Sequence, residues 1–130
     1  MKGFIELRNP VMINGESMTK LAYDTNEITP ALFAQADATK KQAAGLKTVA
    51  ITPAVEFDFA LHLYLGFAAI IAASNNSIEF VDCERVHGLD LVEVMNVGRN
   101  FILKSEASQE NNSEEPSETT AEPTPQVSPN

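Results

Sequence analysis

Cysteine and histidine four residues apart can form a thiolate–imidazole pair when one helical turn carries both, and Cys83 and His87 have that spacing. A working nucleophile also needs an acid to orient the base and N–H donors to hold an oxyanion, and no such pattern flanks the pair. Cys83 is therefore read as a quiet, partly buried thiol. His62 could ligate a metal only with a second His or Cys at i+3 or i+4, which the sequence lacks, so it is read as a satisfied core or interface histidine. Asp24, Thr25, Asn26 and Glu27 gather oxygen ligands but lack the glycine and terminal glutamate of a calcium loop. They are expected to cap and solvate the approach to a helix. Asp82, Glu84 and Arg85, just before His87-Gly88, are expected to pair on a short helical turn that Gly88 ends. With no phosphate loop, paired-carboxylate site or repeat, the chain is expected not to be an enzyme and to take no cofactor or metal.

Composition narrows the partners. At 130 residues and 44% apolar, the chain fits one ordinary domain with a core. A formal charge of -9 repels phosphate backbones and anionic headgroups, which argues against nucleic acid as a partner. The longest apolar stretch, Phe57 to Ala73, is interrupted by Asp58 and His62 and falls short of the roughly 20 apolar residues that cross a bilayer. It reads as a buried helix, and no membrane association is expected. One cysteine cannot form an internal disulfide, and the N-terminus lacks the charged-then-apolar pattern of a secretory signal, so the expected location is cytoplasmic.

The chain divides near Ser105. Six acids, four of the seven prolines, no base and no aromatic residue follow it, a composition that cannot offset its own ordering entropy by burial. Residues 105–130 are expected to be a disordered acidic tail. Residues 1–104 keep twelve acids against nine bases and are expected to fold as one α+β, mostly α, domain: a small N-terminal β-hairpin or sheet packed with about three helices. Two or three short strands are expected, the first over Phe4 to Leu7, and Val11 to Ile13 turns at Asn14-Gly15 into Ser17 to Tyr23. Thr29-Pro30 starts a first helix that fades at Ala43-Ala44-Gly45 and, with its thin apolar stripe, lies on the surface or moves. Thr52-Pro53 repeats the start signal for a central helix that runs to Asn75-Asn76 and is apolar nearly all round, so other elements must enclose it. A last helix, about Leu89 to Leu103, places Leu91, Val94, Met95, Gly98, Phe101 and Ile102 on one stripe and Asp90, Glu93, Asn96 and Arg99 opposite.

Taken together, the opening strand with Pro10 and Asn14-Gly15, the Leu21 to Asp24 strand leading to Ile28-Thr29, the Leu61 to Ala73 segment, and Arg85 to Ile102 with Gly88, Asp90, Gly98, Arg99, Asn100 and Phe101 resemble the phage tail assembly chaperone family, in the class serving contractile-tailed phages. The resemblance covers about residues 4 to 103 and is one of layout, not of a catalytic signature. It implies a protein of the host cytoplasm that coats the long, helical, aggregation-prone tape measure protein while tail tube subunits polymerise around it, and that is absent from the mature virion. Some members of that family also have a longer form made by frameshifting. The tape measure protein is thus the expected partner, the tail tube protein a further one, and homo-oligomerisation is left open. The alternatives are a minor virion component for tail completion or connection, and a small adaptor with no phage connection. Apolar helical surface beyond what the core needs would take the client, and the partner-binding candidates are Phe59, Leu63, Phe67 and Phe101. Phe67 belongs to the core instead if its side chain is enclosed.

Overall fold

Asn14 and Gly15 have φ of 53° and 81°, the left-handed pair that a tight hairpin needs and that Asn-Gly adopts at least cost. They join β1 (Lys2–Ile13) to β2 (Glu16–Asp24) in a two-stranded antiparallel sheet. The computed structural model describes residues 1–45 and 54–112, with side chains described through residue 103. Phe4 to Leu7 and Val11 to Ile13 belong to one strand, not to separate short ones, because a bulge bridges them. Pairing runs from Lys2↔Asp24 to Glu6↔Lys20 and resumes at Val11↔Met18, so residues 7–10 stand opposite Thr19 alone. Pro10, which has no N–H to give a ladder, falls inside this bulge. Ile5, Leu7, Val11, Ile13 and Leu21 are buried on one face of the sheet.

Helix α1 (Pro30–Ala43) starts as expected, with the Thr29 hydroxyl accepting from the Leu32 N–H at 3.1 Å, and Gly45 follows it at φ 65°. Its stripe is thin but seated: Leu32, Ala36 and Lys40, four residues apart, are buried and α1 packs on the next helix. Lys40 donates to Asp58 at 2.9 Å and lies 3.6 Å from Asp37. Burial alone would lower the Lys40 pKa, but the hydrogen bond to Asp58 and the charges of both carboxylates outweigh it and hold the ammonium above its ordinary 10.5.

The expected start of the central helix at Thr52-Pro53 lies outside the described residues, and the residues after it correct its N-terminus. Val55–Phe57 form a 3₁₀ turn, Asp58 caps through its carboxylate on the Leu61 N–H at 3.0 Å, and α2 spans Phe59–Ala73. It ends as the sequence suggests, with Asn75 and Asn76 at φ 55° and 64°. Leu61 and Tyr64 through Ile71 are buried, and β2, α1 and two further helices surround α2. The first of these, α3 (Phe80–Cys83), carries the expected charge cluster in a wider role. Arg85 lies 3.4 Å from Asp82 and donates to the Met12 carbonyl at 2.7 Å, while Glu84 accepts from the Tyr64 hydroxyl at 2.7 Å. Burial first, and Glu84 second, push the Tyr64 pKa up. Gly88, at φ 70°, closes the connection.

Helix α4 spans Asp90–Asn112 and so continues beyond the expected end at Leu103 and into the stretch read as tail; residues 113–130 lie outside those described. Asp90 does not lie on the solvent side of the helix. It is fully buried, and its two carboxylate oxygens accept the Arg8 and Asn9 N–H groups at 3.0 Å each. These are backbone donors that the β1 bulge leaves without a cross-strand partner, so the bulge and the first turn of α4 complete each other. The Arg8 bond, opposed by burial and aided by the Asn9 bond, holds the Asp90 carboxyl below its ordinary 3.8.

α2 and α4 touch backbone to backbone. A Cβ on Gly66 would overlap the Val94 carbonyl, and one on Gly98 would overlap the His62 carbonyl. Only glycine fits at either position, and the close approach buries Val94, Val97 and the middle of α2 together. The molecule is thus a two-stranded antiparallel sheet packed with three helices, in which α2 and α4 meet the sheet, α1 packs on α2 and α3 is a short brace. No helix among the described residues is long and apolar enough to cross a membrane.

Candidate interaction surface

The chemistry-bearing residues end up apart. Cys83 is turned into the core with its Sγ 4.0 Å from the Phe67 carbonyl, and burial, reinforced by Asp82 and Glu84, pushes its thiol up to about 12. His87 is exposed, its Nδ1 3.1 Å from the Arg85 carbonyl oxygen. A thiol so hard to ionise, with the imidazole in solvent, is poorly placed as a nucleophile. His62 is fully buried, and its Nε2 donates to the Val55 carbonyl at 2.7 Å. That bond fixes the tautomer, since a carbonyl can only accept, and leaves Nδ1 buried with no hydrogen-bond partner among the described residues. Asp24 caps the 3₁₀ turn Thr25–Glu27 by accepting from the Asn26 N–H at 3.0 Å. Among the described residues no three His, Cys, Asp or Glu side chains gather as metal ligands would.

The apolar candidates are brought to one end of the molecule, with one exception. α2 and α4 run antiparallel, since Gly66 meets Val94 and Gly98 meets His62. One turn further along each helix, Phe59 on α2 stands level with Phe101 on α4. Phe59 is 53% exposed, with its ring edge-on to His62 at a centroid distance of 5.8 Å. Phe101 is half-buried and packs on Phe33 of α1 at 6.5 Å, and Leu63 is half-buried against the core. The exception is Phe67. At 1% exposure, with its ring edge-on to Tyr64 at 5.0 Å, it belongs to the core and offers a partner no surface.

Two residues missing from that candidate set complete the surface. Val55 is 46% exposed and Phe57 69%, on the 3₁₀ turn that packs against α4. His62 holds this turn through the Val55 carbonyl, so a buried histidine on α2 positions two exposed apolar side chains ahead of it. Asp58 has the matching task, since it both starts α2 and receives Lys40 from the end of α1. The signal was present in the sequence as the run Val55, Phe57, Phe59 around Asp58, an alternation that no helix periodicity explains. The outcome is an apolar end formed by Val55, Phe57 and Phe59 and bordered by Leu63 and Phe101.

Searches with this chain match no protein family model, no curated protein and no solved structure.

Proposed function

We propose that the chain is a protein-binding chaperone of the phage tail assembly type, which holds the tape measure protein by its apolar helical segments and keeps it soluble in the host cytoplasm while tail tube subunits assemble. The observation that carries this reading is the run of exposed apolar side chains Val55, Phe57 and Phe59 at the start of α2. Three large apolar side chains left in water on one short stretch of chain are costly at about 25 cal/mol per Å², and exposed apolar surface of this kind marks a place where another molecule can dock. A helical client suits it, because the alternating anchors sit at the end of a helix pair, where an amphipathic helix can lay its apolar stripe across them. Surplus acids elsewhere on the chain add repulsion between bound copies.

The test is expression beside the neighbouring genes followed by purification. The long helical protein encoded nearby should co-purify with the chain, and the chain should be absent from finished particles. A chain that is retained in particles, without that partner in the lysate, is a virion component instead.

A further inference from the structure

At the opposite end of α2 a cleft of about 710 Å³ opens between the start of α1, the end of α2 and α3. Ile71 stands twelve residues past Phe59, about 18 Å along the helix at 1.5 Å per residue, so the cleft is separate from the aromatic end. Its floor is apolar, formed by the buried Leu32, Ile71 and Ile78, and Val81 stands on its lip 58% exposed. Its charges have one sign. Glu27 and Glu79, both exposed, line it, and among the described residues no Lys or Arg does. The end of α2 brings partial negative charge beside the cleft and the starts of α1 and α3 bring partial positive charge, so it is the two carboxylates that set its sign. Apolar floor and negative rim together define the occupant by complementarity: a polypeptide segment with one or two large apolar side chains next to Lys or Arg.

We propose that this cleft is a second docking site, which takes a basic amphipathic helical segment of the protein's client. The inference rests on the client-binding reading for its biological occupant, but its chemistry can be tested without that client. The size fits, because the cleft can admit one or two aliphatic or aromatic side chains, whose burial supplies affinity, while the carboxylates select the cationic neighbours. Engagement at two ends of α2 would also raise the effective concentration of the second contact once the first has formed, and so hold a long helical client more firmly than either site alone.

The probe is a dye-labelled synthetic amphipathic helix with two leucines on one face and flanking lysines, titrated with the full chain at low ionic strength and followed by fluorescence anisotropy. The same peptide with glutamates in place of the lysines is the control. The lysine peptide should bind and the glutamate peptide should bind at least about tenfold more weakly. Glu27→Lys should weaken the lysine peptide about tenfold, and Val81→Ser by severalfold, whereas Glu93→Lys, an equal charge change at an exposed position on α4, should change it far less. The proposal is overturned if the lysine peptide does not bind, if Glu27→Lys and Glu93→Lys act equally, or if Phe59→Asp and not the cleft variants removes binding. A client that the chain keeps soluble despite any of those results would leave the proposed function standing without the second site.

Discussion

The middle of α2 and the end at which it begins are nearly alike in composition and opposite in surroundings. From Tyr64 to Ile71 every side chain is enclosed by the sheet, α1, α3 and α4, with Gly66 and Gly98 bringing two backbones into contact at the centre. At the beginning, Phe59 and the preceding turn with Val55 and Phe57 carry equally apolar side chains that remain in water. Apolarity alone therefore does not assign a residue to the core. What decides is whether a neighbouring element reaches it, and α4 reaches the middle of α2 because two glycines let it approach.

If that contrast is right, the two regions should respond oppositely to substitution. Phe67→Ala should cost about 3–5 kcal/mol in urea unfolding, since it empties a fully enclosed aromatic site. Gly98→Ala should cost about 2–3 kcal/mol, because the clash with the His62 carbonyl outweighs the roughly 1 kcal/mol of helix propensity that alanine gains over glycine. A neutral or stabilising Gly98→Ala would mean that the two helices do not meet there.

Asp90→Ala should cost about 2 kcal/mol by leaving the Arg8 and Asn9 N–H groups unpaired beneath the bulge. The same carboxylate gives a pH signature of known sign. Its folded-state pKa lies below the ordinary 3.8, so the stability it contributes is present above that value and is lost as pH falls through the folded one. The unfolding midpoint of the wild-type chain should therefore drop below about pH 4 more steeply than that of Asp90→Asn. Equal slopes would remove Asp90 from the account. At the exposed end the effect should be smallest: Phe59→Ser should change stability by no more than about 0.5 kcal/mol.

How much of this the sequence carries depends on the range over which each feature is decided. The Asn14-Gly15 turn, the Thr29-Pro30 start and the Asn75-Asn76 stop are set by the conformational preferences of a few adjacent residues, and the structure has all three. The enclosure of an all-apolar α2 follows from its composition, because no face of it is fit for water. Asp90 is different. It reads as a solvent-facing acid in the helical pattern, and its burial depends on a bulge some eighty residues earlier that only the paired strands reveal. Lys40 and Asp58 likewise find each other across the α1–α2 connection. For the surface, Phe59 and Phe101 could be named from hydrophobicity, but Phe67 could not be separated from them, nor Val55 and Phe57 added, until the 3₁₀ turn and the position of α4 were known.

The account stands most directly on what the exposed apolar end does. The decisive measurement is the soluble fraction of the long helical neighbouring protein when co-expressed with the wild-type chain and with the Phe57→Asp, Phe59→Asp double variant, whose fold is checked by circular dichroism and urea unfolding. The account predicts that the wild-type chain keeps the client in the supernatant, and that the double variant, folded and close to wild-type stability, lets it pellet. A folded double variant that rescues the client as well as the wild type would contradict the assignment of this surface.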